Sequence, residues 1–182
     1  GSYMEDQDMW NLSGIYRSVK LLAKPRSRMT DLRATATLDD RYEEGLLKLE
    51  IQTESAEGYS VAVALYDMGD LSRPALMREV YPVGTAHIDE KGAYADRCHL
   101  AIAVPCPKQW SAECPSLYRV TVTLLDAKKQ PVETEAYDVG FRSVEIISGQ
   151  LCVNGQPLLV RGVNKHEHDP ATGHTESLAL VE

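Results

Sequence analysis

An all-β fold, an antiparallel sandwich carrying short flanking segments of other domains, is predicted by three observations. Apolar residues recur at every second position in short runs, clusters of Asp, Glu, Gly and Pro separate the runs, and the stretch they occupy has the size of an immunoglobulin-like domain. Alternation of this kind buries one face of each strand and leaves the other in water.

In chain order, Leu32, Ala34, Ala36 and Leu38 alternate with polar neighbours, then Leu47, Leu49 and Ile51, then Val61, Val63 and Leu65. A loop rich in Pro, Gly and charge follows. Beyond it, Cys98, Leu100, Ile102 and Val104 alternate with Arg97, His99, Ala101 and Ala103, and Tyr118, Val120, Val122 and Leu124 repeat the pattern. Ala136 to Val139 carries it less cleanly. Asp39-Asp40, Glu57-Gly58, Asp67 to Asp70 and Asp126 to Gln130 interrupt the runs with turn-forming residues. The sandwich is therefore expected over residues 25–142, with Trp110 and Tyr118 capping one end, each an apolar ring with a polar tip that wants a partner.

Two segments fall outside this pattern. In residues 1–24, Ile15, Val19, Leu21 and Leu22 read as the last strand of an earlier domain, with Pro25 as the boundary. Residues 143–182 read as the start of a later one. Asn154-Gly155 between two apolar runs predicts a tight hairpin, a strand then leads to Asn164, His166 and His168, and Leu178 to Glu182 begins an amphipathic helix. The absence of an initiator Met and the interrupted helix lead us to expect an excised piece of a longer chain.

The chain of 182 residues has room for one full domain of about 100 to 150 residues plus flanking pieces. A net charge of -8 and a pI near 5.2, with no basic stripe, argue against nucleic acid or an anionic membrane as partner. No apolar run approaches the roughly 20 residues that cross a bilayer, and the first residues are polar and acidic, unlike a secretory signal. A cytoplasmic location is expected. Cys98, Cys106, Cys114 and Cys152 form no C-x-x-C pair, so they read as reduced thiols, Cys98 and Cys152 as small core residues, with a Cys106–Cys114 disulfide as the alternative.

Two clusters are able to carry chemistry. His166 and His168 lie two apart and share a side of an extended segment. With Asp169 they could hold a metal, His166 could instead donate a hydrogen bond to a substrate hydroxyl, and all three could be plain loop residues. In Glu5-Asp6-Gln7-Asp8-Met9-Trp10, carboxylates beside an indole suit a sugar or a hard cation, and equally an acidic terminus.

Six ordered motifs extend this reading. Glu5 to Trp10, Ser13-Gly14-Ile15-Tyr16-Arg17, Trp110-Ser111-Ala112-Glu113, Pro115 with Leu117-Tyr118, Asp138-Val139-Gly140-Phe141-Arg142 and Arg161 to His168 together resemble the large bacterial β-galactosidases of glycoside hydrolase family 2. The resemblance covers nearly the whole chain. It implies the end of a jelly-roll sugar-binding domain (residues 1–24), an immunoglobulin-like domain (25–142) and the start of a catalytic (β/α)8 barrel (143–182). It also implies that Asp8 contacts the galactosyl group and a sodium ion, and that His166 contacts the sugar and helps stabilise the transition state.

The family's two catalytic glutamates and its magnesium ligands lie downstream in the barrel. A retaining mechanism needs two carboxyl groups about 5 Å apart, so these 182 residues alone are expected to be inactive. For the parent enzyme the resemblance implies Mg2+ and Na+, a β-galactoside such as lactose as substrate, the jelly roll and barrel as neighbouring partners, and a homo-oligomer. The chain's own expected role is a non-catalytic scaffold between those domains. The rival expectation is a free-standing carbohydrate-binding or adhesion sandwich.

Overall fold

A computed structural model of the chain describes residues 14–15, 18–87, 95–167 and 169–173. Lys24–Leu158 forms one compact unit, and the described residues on either side of it belong to a second. Ten strands make up the first unit: β1 (Arg28–Leu38), β2 (Gly45–Glu54), β3 (Ser60–Asp67), β4 (Met77–Pro82), β5 (Arg97–Val104), β6 (Tyr118–Leu125), β7 (Pro131–Val139), β8 (Val144–Ile147), β9 (Gln150–Val153) and β10 (Gln156–Pro157). Among the described residues there is no helix.

The first seven strands form the predicted sandwich. One sheet has the order β1-β2-β5 and the other β4-β3-β6-β7, all antiparallel. Period-two alternation sends Leu47, Leu49 and Ile51 of β2 and Leu100 and Ile102 of β5 inward, against Val61, Val63 and Leu65 of β3 and Val120, Val122 and Leu124 of β6. Each fully buried aliphatic side chain of this kind stabilises the fold by about 1.5–3 kcal/mol. Cys98 and Cys152 are buried, Cys106 and Cys114 exposed, and all four are free thiols, so no disulfide joins the sheets. Burial pushes the Cys98 thiol above its ordinary pKa and keeps it a small apolar core residue.

Two details depart from simple alternation. On β1, Met29 and Leu32 are both buried although three residues apart, because Thr30 has no partner in the ladder between Met29↔Thr53 and Asp31↔Gln52. This bulge resets the strand's inward face. The second is β4, which lies within what the sequence reads as a loop. It is an edge strand, most of its residues face water, and Pro82 ends it where it pairs with Ser60, so its apolar signal reduces to half-buried Met77 and Tyr81.

One end of the sandwich is closed by aromatic rings. Tyr118 is buried at the start of β6, and its hydroxyl accepts a hydrogen bond from the Lys108 backbone N–H at 2.7 Å. Its ring meets that of Phe141 edge-on, with centroids 5.3 Å apart. This matches the tyrosine corner of immunoglobulin-like domains, in which a Tyr early in the penultimate strand ties down the loop before it. Phe141, fully buried, leaves no room beside Gly45: a Cβ there would lie 2.9 Å from the ring and 2.8 Å from Pro107 Cγ.

At the other end of β1 the entering chain is clamped by charge. Lys24 Nζ lies 2.9 Å from Glu133 and 2.8 Å from Glu135 on β7, and donates to the Met29 carbonyl. The Met29 N–H in turn donates to Glu133. The hydrogen bond from Lys24 holds the Glu135 carboxyl below its usual value of 4.5. A carboxyl whose folded pKa is depressed adds stability above its unfolded pKa and loses it as pH falls through the folded one. Replacing Lys24 by Met should therefore lower stability at pH 7 and flatten the loss between about pH 5 and pH 2, as read from urea midpoints at each pH.

Candidate functional site

The predicted site residues fall at and beyond the end of the compact unit. Asp8, with the whole Glu5 to Trp10 cluster, lies outside the described residues, as do His168 and the helix start at Leu178 to Glu182. His166 is described and exposed, on a stretch from 158 to 167 that forms neither strand nor helix. The expected strand leading to Asn164 and His166 is thus corrected. β10 ends at Pro157, and one further ladder bond, Leu158 N–H to the Leu151 carbonyl, closes the pairing. A strand exists only against a neighbour, and beyond Leu158 none of the described residues supplies one.

Asp169 has a local role. Its Oδ1 accepts the Ala171 and Thr172 N–H groups, both at 2.8 Å, and its own N–H and the Gly173 carbonyl close the turn. Those amides hold its carboxyl below the ordinary aspartate range. One of its two carboxylate oxygens is thereby engaged with backbone.

The structure assembles a second site more completely, where the strands β8 to β10 join the sandwich. Two hairpin turns build this meander. Ser148 and Gly149 between β8 and β9, and Asn154 and Gly155 between β9 and β10, all have φ between 50° and 80°, the left-handed pairs that two-residue hairpin turns require. The Asn154-Gly155 turn is the one its sequence predicts.

Asn154 then does more than turn the chain. Its Oδ1 accepts the Ser143 N–H at 3.0 Å, its own N–H donates to the Ser143 carbonyl at 3.0 Å, and its Nδ2 donates to the Trp110 carbonyl at 3.1 Å. The Trp110 N–H donates to the Phe141 carbonyl at 2.9 Å. Trp110 packs on Gly140, where a Cβ would come within 2.8 Å of it, and the Arg142 guanidinium lies 4.3 Å from the centre of its ring. Tyr42 completes the junction. Its carbonyl accepts Gln109 Nε2, its hydroxyl donates to Glu145, and its ring presses on Gly155 so closely that a Cβ would meet it at 2.6 Å.

A cleft of about 620 Å3 opens here, lined by Tyr42, Gln109, Trp110, Asn154, Gln156 and others. The amides of Gln109 and Asn154 are committed to backbone carbonyls, and a cation covers the Trp110 ring. The junction thus fixes the meander to the sandwich. It also accounts for two of the sequence motifs, since Trp110 to Glu113 and Asp138 to Arg142 meet in it. The clamp on Asn154 carries no sequence signal of its own, because Asn before Gly is expected in any such turn.

The described residues thus form a seven-stranded immunoglobulin-like sandwich with a three-stranded meander fixed at one end. Comparison with known proteins gives the family. The sequence model of glycosyl hydrolases family 2 matches residues 27–142, that of the family's sugar binding domain residues 1–25, and that of its TIM barrel domain residues 144–182. The chain belongs to glycosyl hydrolases family 2.

Similar relatives include the β-galactosidase of Aeromonas hydrophila, 56% identical over 182 residues, and that of Pseudoalteromonas haloplanktis, 47% identical over 180 residues. All of this chain aligns with the first and 98% with the second, yet it spans only 17% of the length of either. Among solved structures, β-glucuronidase 3 of Bacteroides uniformis shares the fold with a TM-score of 0.71 at 21% identity, over 94% of this chain and 20% of that one. The β-glucuronidase of Bifidobacterium dentium does so with a TM-score of 0.69 at 18% identity, over 85% and 24%.

The junction makes a direct prediction. Asn154→Gly keeps the turn but removes both side-chain bonds, and should destabilise the unit by about 1–3 kcal/mol, because the Ser143 N–H and the Trp110 carbonyl lose their partner. Asn154→Ala should cost more, since it adds left-handed strain. Urea denaturation followed by circular dichroism measures both.

Proposed function

We propose that this chain is the connecting scaffold of a β-galactosidase, seating a sugar-binding domain before it and a catalytic barrel after it, and that the parent enzyme hydrolyses terminal β-D-galactosides such as lactose. The observation that carries this reading is the order of the three family matches around one sandwich, with two relatives of 56% and 47% identity named β-galactosidase. The clamped junction supports it physically, since a spacer must fix the direction in which the chain leaves it. Covering of the Trp110 ring by Arg142 counts against the rival carbohydrate-binding module, which needs a bare aromatic platform.

In this reading Asp8 and His166 contribute to a galactose pocket, Asp8 through the sugar and a sodium ion and His166 through the sugar as charge develops. Exposure of His166 on an extended stretch leaves it free to reach such a pocket. The reaction is a retaining one, in which two carboxyl groups about 5 Å apart act as nucleophile and as acid/base. Both are supplied by the barrel, as are the ligands of Mg2+. Asp8 lies outside the described residues, and no step of this reading depends on either ion. The parent is a homo-oligomer in the cytoplasm. Among the described residues no helix is long and apolar enough to cross a membrane.

The 182 residues alone should leave a nitrophenyl β-galactoside untouched above buffer, while the longer protein containing them hydrolyses it. Titration of lactose into the 182-residue chain should give no saturable change in tryptophan fluorescence. Hydrolysis by the chain alone would contradict the scaffold role, and millimolar or tighter saturable binding would favour the module.

A further inference from the structure

Asn154 anchors the meander, and its sequence context also makes it the amide of this chain most prone to a covalent change. Three asparagines occur, Asn11, Asn154 and Asn164, and only Asn154 is followed by glycine. Asparagine is thermolabile because the backbone nitrogen of the next residue can attack its side-chain carbonyl carbon. A side chain on that next residue obstructs the approach, and glycine has none. The pair that makes the turn therefore also makes the reactive site.

The reaction is a cyclisation followed by hydrolysis. Gly155 N bonds to Asn154 Cγ, the Cγ–Nδ2 bond breaks, and Nδ2 leaves as ammonia with the proton that Gly155 N gives up. Water then opens the cyclic imide at either of its carbonyls. One product is aspartate, and the other is isoaspartate, in which the main chain runs through the side-chain carbon.

Three contacts in the folded chain oppose the first step. The Ser143 N–H donates to Oδ1 at 3.0 Å and Nδ2 donates to the Trp110 carbonyl at 3.1 Å, so the carboxamide cannot turn its face to Gly155 N without giving up a bond. The Tyr42 ring presses on Gly155, 2.6 Å from where a Cβ would stand, and holds it in the turn at a φ of 73°. Once the reaction has run, the junction cannot re-form as it was. An aspartate oxygen would take the place of the donor Nδ2, and two acceptors would then face each other at the Trp110 carbonyl. Isoaspartate would add a main-chain carbon to the two-residue turn between β9 and β10.

We propose that Asn154 is a deamidation site gated by the junction. Closed, the junction protects the amide, and each opening exposes it to a conversion that keeps the meander from seating again. The site is a one-way record of the time the junction has spent open. This goes beyond the scaffold role and depends neither on the sugar nor on the neighbouring domains.

The test compares the 182-residue chain with a synthetic peptide of residues 143–161, the tryptic fragment that holds Asn154. Both are kept in the same mildly alkaline buffer, the chain is then digested, and fragment-ion mass spectra read the conversion of amide to acid at Asn154. Conversion should be at least about tenfold slower in the folded chain than in the peptide, since it must wait for opening, and urea should remove the difference. Tyr42→Gly takes away the ring and suits the left-handed φ of 59° at that position. It should speed conversion in the folded chain several-fold and leave the rate in urea unchanged. Asn154→Asp carries the product's carboxylate in a residue that tolerates the turn, and should speed hydrogen exchange at the amides of positions 143 and 154 by about tenfold or more. Equal rates in the folded chain and the peptide would overturn the proposal. Unchanged exchange at both amides in Asn154→Asp would overturn it as well, because the conversion would then leave the junction closed.

Discussion

The side-chain amide of Asn154 bonds at both ends to backbone, to the Ser143 N–H and to the Trp110 carbonyl, and the rest of the junction is arranged around that pair of bonds. Trp110 is held in turn by the Phe141 carbonyl, by Gly140 beneath it and by Arg142 over its ring. Phe141 is the ring that buried Tyr118 meets edge-on, so the chain of contacts runs from the hairpin tip to the closed end of the sandwich. These bonds are partly buried, so losing one leaves a partly desolvated backbone group without its partner. The direction of the meander is therefore set by the same residues that complete the core.

Gly140 and Gly155 show why this junction tolerates so little change. At both, a Cβ would sit under 3 Å from an aromatic ring. Close backbone approach of this kind demands glycine. At Gly155 the left-handed φ of 73° demands it a second time. The sandwich core is held by a different principle. Its aliphatic layer from β2, β3, β5 and β6 depends on volume and patterning and lacks polar anchors apart from buried Thr53 and Ser60. A generic layer supplies the stability, and a specific end fixes where the meander sits.

Most of the sandwich was legible in the sequence because its central strands bury one face completely. In β2, β5 and β6 the alternation survives almost position by position. It failed at β4, an edge strand whose buried face reduces to Met77 and Tyr81, and at the Thr30 bulge, which a fixed period of two cannot express. The strand expected after Pro157 failed for a related reason, since its apolar residues Leu159, Val160 and Val163 are exposed. At the site, the Asn-Gly turn could be read directly, whereas the bond from Asn154 to Trp110 joins residues 44 apart and has no local signature. Of the two expected sugar contacts, His166 lies exposed and Asp8 falls outside the described residues.

The central claim is that sandwich and meander open as one body. Native-state hydrogen exchange on the 182-residue chain tests it most directly, because it gives an opening free energy for each amide. The amides of Asn154 and Ser143 should open with the same free energy as those of Leu49 and Val122 in the core, and in Asn154→Gly the core pair should fall by the unit's own loss of stability and the junction pair by at least as much. Free exchange at Asn154 and Ser143 in the unaltered chain, beside a protected core, would contradict the account.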